Sequence, residues 1–178
     1  QPEMKQLDGF DIVLDAPATR NTISKHMHGI MDSPIMMAFS AARGNKTPIV
    51  FVPSMHQDLF DDPVTTELLD QIILEGNYYF VDREKEGRRK QPSPVVIVSK
   101  LSNLVNSFLD NRKKVAITLG ATRAPIDSVR AIQNASSGKT GWAIAEHLFL
   151  MGHEVYCIAG KTSSNPSIEL PNIIRAGS

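Results

Sequence analysis

The sequence is nearly free of cysteine: Cys157 is the one thiol in 178 residues. No disulfide framework and no cysteine-based zinc site can be assembled from it. Set in an apolar, strand-like run, that thiol reads as a small core residue. Net charge is also missing, since 19 basic residues face 19 acidic ones. Nothing therefore points to nucleic acid as a partner, and the basic cluster Arg88-Arg89-Lys90 reads as loop decoration. No apolar run reaches the roughly 18 residues of a membrane span, so no membrane association is expected. HExxH and CxxC do not occur, and no Ser-His-Asp set can be assigned. His26 and His28 stand two apart on a helical segment and so point to different faces. His147 and His153 have no ligand spacing either, and no metal ligand is assigned. No leader-like stretch precedes the first strand, which predicts a cytoplasmic protein. Gln1 is not an initiator methionine and Ser178 follows a half-formed strand, so the chain is expected to be part of something larger.

What is present is an alternation of strand-like and helix-like segments. Residues 10–14 (FDIVL) form a β-rich run, and Pro17 is expected to take the chain out of the sheet. Thr19 or Asn21 can cap a helix reaching Met31. Ser33-Pro34 starts another helix, through about Ala42. Residues 47–52 are the next strand, and residues 54–57 (SMHQ) are its exit loop. Asp62-Pro63 opens a helix with Leu68, Leu69, Ile72 and Ile73 inward and Gly76 as its stop. Residues 78–81 are a strand, and residues 82–91 (DREKEGRRKQ) have no apolar anchor and read as a loop or flap. Residues 95–98 have strand propensity, but the longer periodic pattern Ile97, Leu101, Leu104, Val105, Phe108 predicts a helix from Pro94 to about Asp110. The fold class expected is α/β, with parallel sheets covered on both faces.

The stretch 113–160 is the most informative. A strand at 115–119 stops at Gly120, a long polar loop follows, Ser136-Ser137-Gly138-Lys139-Thr140-Gly141 opens a helix, and residues 154–158 form a second strand. This is one βαβ crossover with an anion site at its helix N-terminus. It is not a P-loop, because Gln133 stands where GxxxxGK[ST] needs its first glycine and the strand ends far too early. A GxGxxG dinucleotide fingerprint is absent as well, which argues against a nicotinamide oxidoreductase. Arg123, Arg130 and Lys139 supply positive charge and Asn134 a neutral amide. Ligands collect at the carboxyl ends of such sheets, which nominates three exits: 16–22, 53–57 and 120–141. The first offers Thr19, Asn21 and Thr22 at a helix start, and the second carries His56.

The motifs Thr118-Leu-Gly-Ala-Thr-Arg-Ala-Pro-Ile-Asp127, Val129-Arg130 and Asn134-Ala-Ser-Ser-Gly-Lys-Thr-Gly141 resemble the opening of phosphopantothenoylcysteine synthetase. Ala121 and Ala124 depart from that family's pattern. More weakly, residues 16–22 (APATRNT), His28-Gly29 and residues 53–56 (PSMH) resemble phosphopantothenoylcysteine decarboxylase, an FMN-dependent, flavodoxin-like family often fused ahead of the synthetase. There, His56 replaces an asparagine, and the flap lacks the usual cysteine. The resemblance implies a flavodoxin-like decarboxylase region over 1–111, lacking its front part. A Rossmann-like synthetase start would follow over 112–178.

The implied chemistry is coenzyme A biosynthesis. CTP, with Mg2+ as counter-charge, would activate 4′-phosphopantothenate as an acyl-cytidylate, and cysteine's amine would attack it. Gly120, Ser136, Gly138 and Gly141 would hold the nucleotide phosphates, with Asn134 and Arg130 as catalytic groups. Thr19, Asn21 and Thr22 would line an FMN site, with His56 in the catalytic region of the decarboxylase. A homo-oligomer, of trimer and dimer type for the two parts, is implied too. An FMN- or nucleotide-binding module without turnover is the alternative.

Overall fold

The computed structural model describes residues 9–82, 88–89, 91–121, 123–127, 129, 131–133 and 136–176. It divides into two compact units, residues 1–93 and 94–178.

In the first unit three parallel strands lie in the order β1-β2-β4, with β1 at Val13–Ala18, β2 at Ile49–Pro53 and β4 at Tyr78–Tyr79. Every residue of β2 is buried, as expected of a central parallel strand. β1 does not stop at Pro17. It slips register between Asp15 and Ala18, and Ala18 then pairs with Pro53. The irregularity keeps the imide nitrogen out of the ladder, so proline is accommodated where a regular strand would exclude it. The Ala16–Pro17 peptide is cis.

Four helices accompany this sheet: α1 at Arg20–Met27, α2 at Pro34–Gly44, α3 at Gln57–Asp61 and α4 at Pro63–Leu74. Side-chain caps set the starts of α1, α2 and α4. Thr19 Oγ1 accepts from Thr22 N–H at 3.1 Å, Ser33 Oγ from Met36 N–H at 3.3 Å, and Asp62 Oδ1 from Val64 N–H at 2.9 Å. α1 ends at Met27, short of the expected Met31, because Gly29 takes φ +68° and turns the chain. Ile23, Met36, Phe39, Ile49, Phe51, Leu68 and Ile72 form the core. Ile73, expected inward, is 51% exposed, since the buried stripe of α4 runs through Thr65, Leu68, Leu69 and Ile72.

Among the polar side chains built into this core is Asn77, whose Oδ1 accepts the buried N–H of Ile49 at 2.9 Å. Asn77→Ala orphans that donor, and a loss of about 2 kcal/mol in urea-unfolding free energy is expected. A loss below about 0.5 kcal/mol would show that the bond is dispensable.

The segment after β2 is more ordered than a loop. Met55–His56 forms β3, antiparallel to β5 at Arg88–Arg89, and α3 follows at once. The remainder of the flap, residues 83–87 and 90, lies outside the described residues.

In the second unit β6 (Lys114–Leu119), β9 (Glu154–Gly160) and β10 (Ile173–Ala176) form a parallel sheet of order β10-β9-β6. β7 (Arg123–Pro125) and β8 (Ala131–Gln133) make a separate antiparallel pair. α6 (Lys139–Leu150) lays Trp142, Ala145 and Phe149 on Val155, Cys157 and Ala159. Burial pushes the Cys157 thiol pKa up, which suits a core residue.

α5 (Pro94–Asn106) belongs to this unit, so the division falls at residue 93, ahead of the expected seam at 111–112. The reason is local. Asn103 Nδ2 donates to Phe149 O at 2.8 Å and Asn106 Nδ2 to Leu150 O at 2.8 Å, satisfying carbonyls at the end of α6. Ile97 is buried as the spacing predicts, whereas Phe108 lies beyond the helix and is 60% exposed.

Candidate functional site

Each unit presents a helix start at the carboxyl end of its sheet. In the first, β1 runs out at buried Ala18, and Thr19 caps α1. The Thr19 and Thr22 hydroxyls are 3.0 Å apart and share a hydrogen bond. The first intrahelical bond is Ile23 N–H to Thr19 O at 3.1 Å, so the N–H groups of Arg20 and Asn21 have no intrahelical acceptor. The first turn holds no acidic residue, leaving the positive helix end uncompensated from within. Thr19 and Asn21 are exposed and Thr22 is half-buried. The exit of β2 is tied beside them by Ser54 N–H donating to Ala18 O at 3.2 Å. Arg20 Nη1 meets Asp62 Oδ2 at 2.6 Å and joins the starts of α1 and α4. The Val64 N–H and then Arg20 hold the Asp62 carboxyl below the usual range. His56 stands exposed in β3, just beyond this exit.

The second unit carries a cleft of about 470 Å³ lined by residues 118–120 and 136–141. It brings together the four predicted phosphate positions Gly120, Ser136, Gly138 and Gly141. Gly138 caps α6 at φ +79° and offers no side chain to the first turn. The first helical bond is Trp142 N–H to Gly138 O at 2.9 Å, so the N–H groups of Thr140 and Gly141 have no intrahelical acceptor. A Cβ on Gly141 would collide with Leu119 Cβ, so only glycine lets the helix start sit against the end of β6. Lys139 and Thr140 are exposed in a first turn that has no acidic residue. Backbone donors, hydroxyls and one cation around an open cleft suit a polyanion. Arg130 and Asn134, the two predicted catalytic groups of this unit, lie outside the described residues. Among the described residues no group of three or more His, Cys, Asp or Glu side chains could hold a metal ion.

Sequence reasoning misses the loop after β9. Ser163 Oγ is buried without a partner in the place that a side chain on residue 120 would take. Ser164 bonds to Ser137 in the cleft wall, and Arg175 bonds to Ser164. The carboxyl-end rule, applied to β9 as it is to β6, is the signal that points there.

A search against known families matches residues 3–106 to the family described as flavoprotein. The chain belongs to the flavoprotein family. Residues 111–177 match the DNA/pantothenate metabolism flavoprotein C-terminal domain, so the boundary between matches lies within 107–110, at the far end of α5. The coenzyme A biosynthesis bifunctional protein CoaBC of Thermococcus kodakarensis is 39% identical over 159 residues, covering 89% of this chain and 39% of that protein. A cysteine/cysteine sulfinic acid decarboxylase from an unknown prokaryotic organism is 33% identical, covering 92% of this chain and 48% of that one. This flavoprotein chain thus spans less than half the length of these curated relatives. The FMN binding protein AtHal3 superposes with a TM-score of 0.54 at 19% identity over 61% of each chain. That likeness shows the fold, an α/β flavodoxin-like arrangement of parallel sheets. No helix among the described residues is long and apolar enough to cross a membrane.

Proposed function

We propose that this chain is the part of a coenzyme A biosynthesis flavoprotein that joins an FMN-dependent phosphopantothenoylcysteine decarboxylase region to the start of a CTP-dependent phosphopantothenate–cysteine ligase region. The decarboxylase region would take up residues 1–111 and the start of the ligase region residues 112–178. The observation that carries the reading is the pairing of two anion-type helix starts, one in each unit. Each falls within a separate family match, one of them the pantothenate-metabolism type.

In the first unit Thr19, Asn21 and Thr22 would hold FMN, as two hydroxyls and an exposed amide around a helix N-terminus with no acidic residue in its first turn fit a flavin phosphate. The flavin supplies the redox chemistry of decarboxylation when bound. His56, exposed beyond the β2 exit, would donate a hydrogen bond to a substrate carboxylate. In the second unit Gly120, Ser136, Gly138 and Gly141 hold the CTP triphosphate. Asn134 and Arg130 stabilise charge on the reacting acyl and phosphoryl oxygens. Magnesium enters with CTP as its phosphate complex. The substrates are 4′-phosphopantothenate and cysteine, and a cytoplasmic homo-oligomer is the expected setting.

The test is made on the complete parent protein. CTP, Mg2+, 4′-phosphopantothenate and cysteine should yield pyrophosphate, and FMN-loaded enzyme should release carbon dioxide from phosphopantothenoylcysteine. Asn134→Asp should cripple the first reaction and leave the second. Thr22→Val should weaken FMN binding about tenfold in a fluorescence titration, the scale of a lost hydrogen bond to a charged group. Folded parent enzyme that releases neither product would end the proposal. A second reading, decarboxylation of free cysteine, is favoured by the cysteine decarboxylase similarity. Carbon dioxide from cysteine alone would select it.

A further inference from the structure

The loop after β9 grips the phosphate-type cleft from outside. β9 ends at Gly160, and Ser163 N–H donates back to Gly160 O at 3.0 Å. Ser164 then reaches the anion loop twice: its N–H and its hydroxyl both donate to Ser137 O, at 2.9 and 2.8 Å. The Ser164 carbonyl in turn accepts from Trp142 Nε1 at 2.7 Å and from Arg175 Nη2 at 3.2 Å. Arg175 also donates to Ser163 O at 2.9 Å and to Asn165 Oδ1 at 2.7 Å, and its guanidinium lies 5.3 Å from the centroid of the Trp142 ring. Three acceptors and an aromatic face around one planar fork suit arginine and not the point charge of lysine.

The consequence follows from peptide geometry. In a trans, planar peptide the C=O of residue 137 and the N–H of residue 138 point in opposite directions. Two donors holding Ser137 O toward Ser164 therefore turn Gly138 N–H away from Ser164, and Gly138 is one of the residues that line the cleft. We infer that Arg175 is a positioning residue for this cleft: acting through Ser164, it sets the Ser137–Gly138 peptide so that Gly138 N–H is presented to a phosphate-type oxyanion. Arg175 does not line the cleft itself. The inference rests on the reading of the cleft as a nucleotide-phosphate site.

The probe is inorganic triphosphate with magnesium, titrated calorimetrically into the 178-residue chain and into Arg175→Met, Arg175→Lys and Ser164→Ala, with Tm measured on the same samples. Arg175→Met is expected to weaken binding about tenfold, and Ser164→Ala, which keeps one of the two bonds to Ser137 O, about threefold. Arg175→Lys should stay close to Arg175→Met, because it restores charge without the fork. Trp142 is the single tryptophan, and its emission should shift in both Arg175 variants before any ligand is added. Wild-type affinity in folded Arg175→Met, or full rescue by lysine, would overturn the inference. If Arg175→Met fails to fold, Ser164→Ala decides: unchanged affinity overturns it, and weakened affinity at unchanged Tm supports it. A wild-type chain that binds no triphosphate sinks the phosphate reading and this inference with it. Equal binding by wild type and variants sinks the inference alone.

Discussion

Gly152→Ala is expected to unfold the second unit more readily than any other glycine-to-alanine change among the described residues, with a loss of about 3 to 5 kcal/mol. Two costs add at this position. Gly152 sits at φ +95°, a conformation that an L side chain adopts only under strain. A Cβ there would also collide with the backbone of Asn106 and Ser107, which cannot rotate aside as a side-chain tip can. The contact is where α5 meets the turn after α6, and the carbonyl of Gly152 accepts from Arg112 Nε at 3.2 Å. Gly29→Ala separates the two costs, since Gly29 has φ +68° but nothing near its Cβ. It should lose only about 1 kcal/mol. Urea unfolding followed by Trp142 emission measures the first variant, and circular dichroism the second. A Gly152→Ala loss no larger than that of Gly29→Ala would mean that the α5–turn contact yields easily.

Asp15→Asn is expected to make the first unit acid-labile over a range where the wild type is level. Two groups of that unit, buried His26 and half-buried Asp15, titrate in opposite senses. His26 is 1% exposed among Phe39 and Phe51, with neither ring nitrogen hydrogen-bonded. Burial, then the nearby Arg43, pushes its pKa down from 6.5 to about 4. Between those values the unfolded chain binds a proton that the folded one does not, so His26 removes stability as pH falls, up to about 3 kcal/mol. Asp15 has one carboxylate oxygen buried without a partner, and burial pushes its pKa up from 3.8 to about 6. Between those values the folded chain holds the proton, so Asp15 restores stability as pH falls, by a similar amount.

The two slopes offset from pH 6 to 4. Asparagine at position 15 cannot titrate, which leaves the His26 slope exposed. The variant should lose about 2 to 3 kcal/mol more than wild type between pH 6 and pH 4. It should also be the more stable protein at neutral pH, where Asp15 is charged. Asp32, Asp62 and Glu154, whose pKa values are lowered by their partners, weaken both proteins alike at the acid end. The difference between the two unfolding profiles therefore isolates Asp15. Parallel profiles would show that Asp15 meets solvent when ionised.

Element types were largely legible because they follow from nearest neighbours in sequence. Thr19, Ser33-Pro34 and Asp62-Pro63 each announce a helix start that the structure contains. The strand read at 115–119, found at Lys114–Leu119, and its glycine stop were readable for the same reason. The four residues Gly120, Ser136, Gly138 and Gly141 could be named as one site because a βαβ unit brings a strand end and a helix start together. Pro17 misled, since the rule that removes proline from strands assumes regular pairing, and a register slip is decided by the partner strand. His26 gave no signal at all. Its solvent exposure depends on Phe39 and Phe51, which lie 13 and 25 residues away in sequence.

By itself, then, the sequence determined the alternation of strands and helices, the helix caps and the glycine-rich start of α6, all set by short-range sterics and hydrogen bonding. Only the tertiary structure decided that α5 joins the second unit through Asn103 and Asn106, that the His26 ring and one Asp15 oxygen are buried without partners, and that Arg175 reaches Ser164 beside the cleft. Those outcomes depend on which distant backbone groups lack partners once the sheets have formed, and no local pattern encodes that.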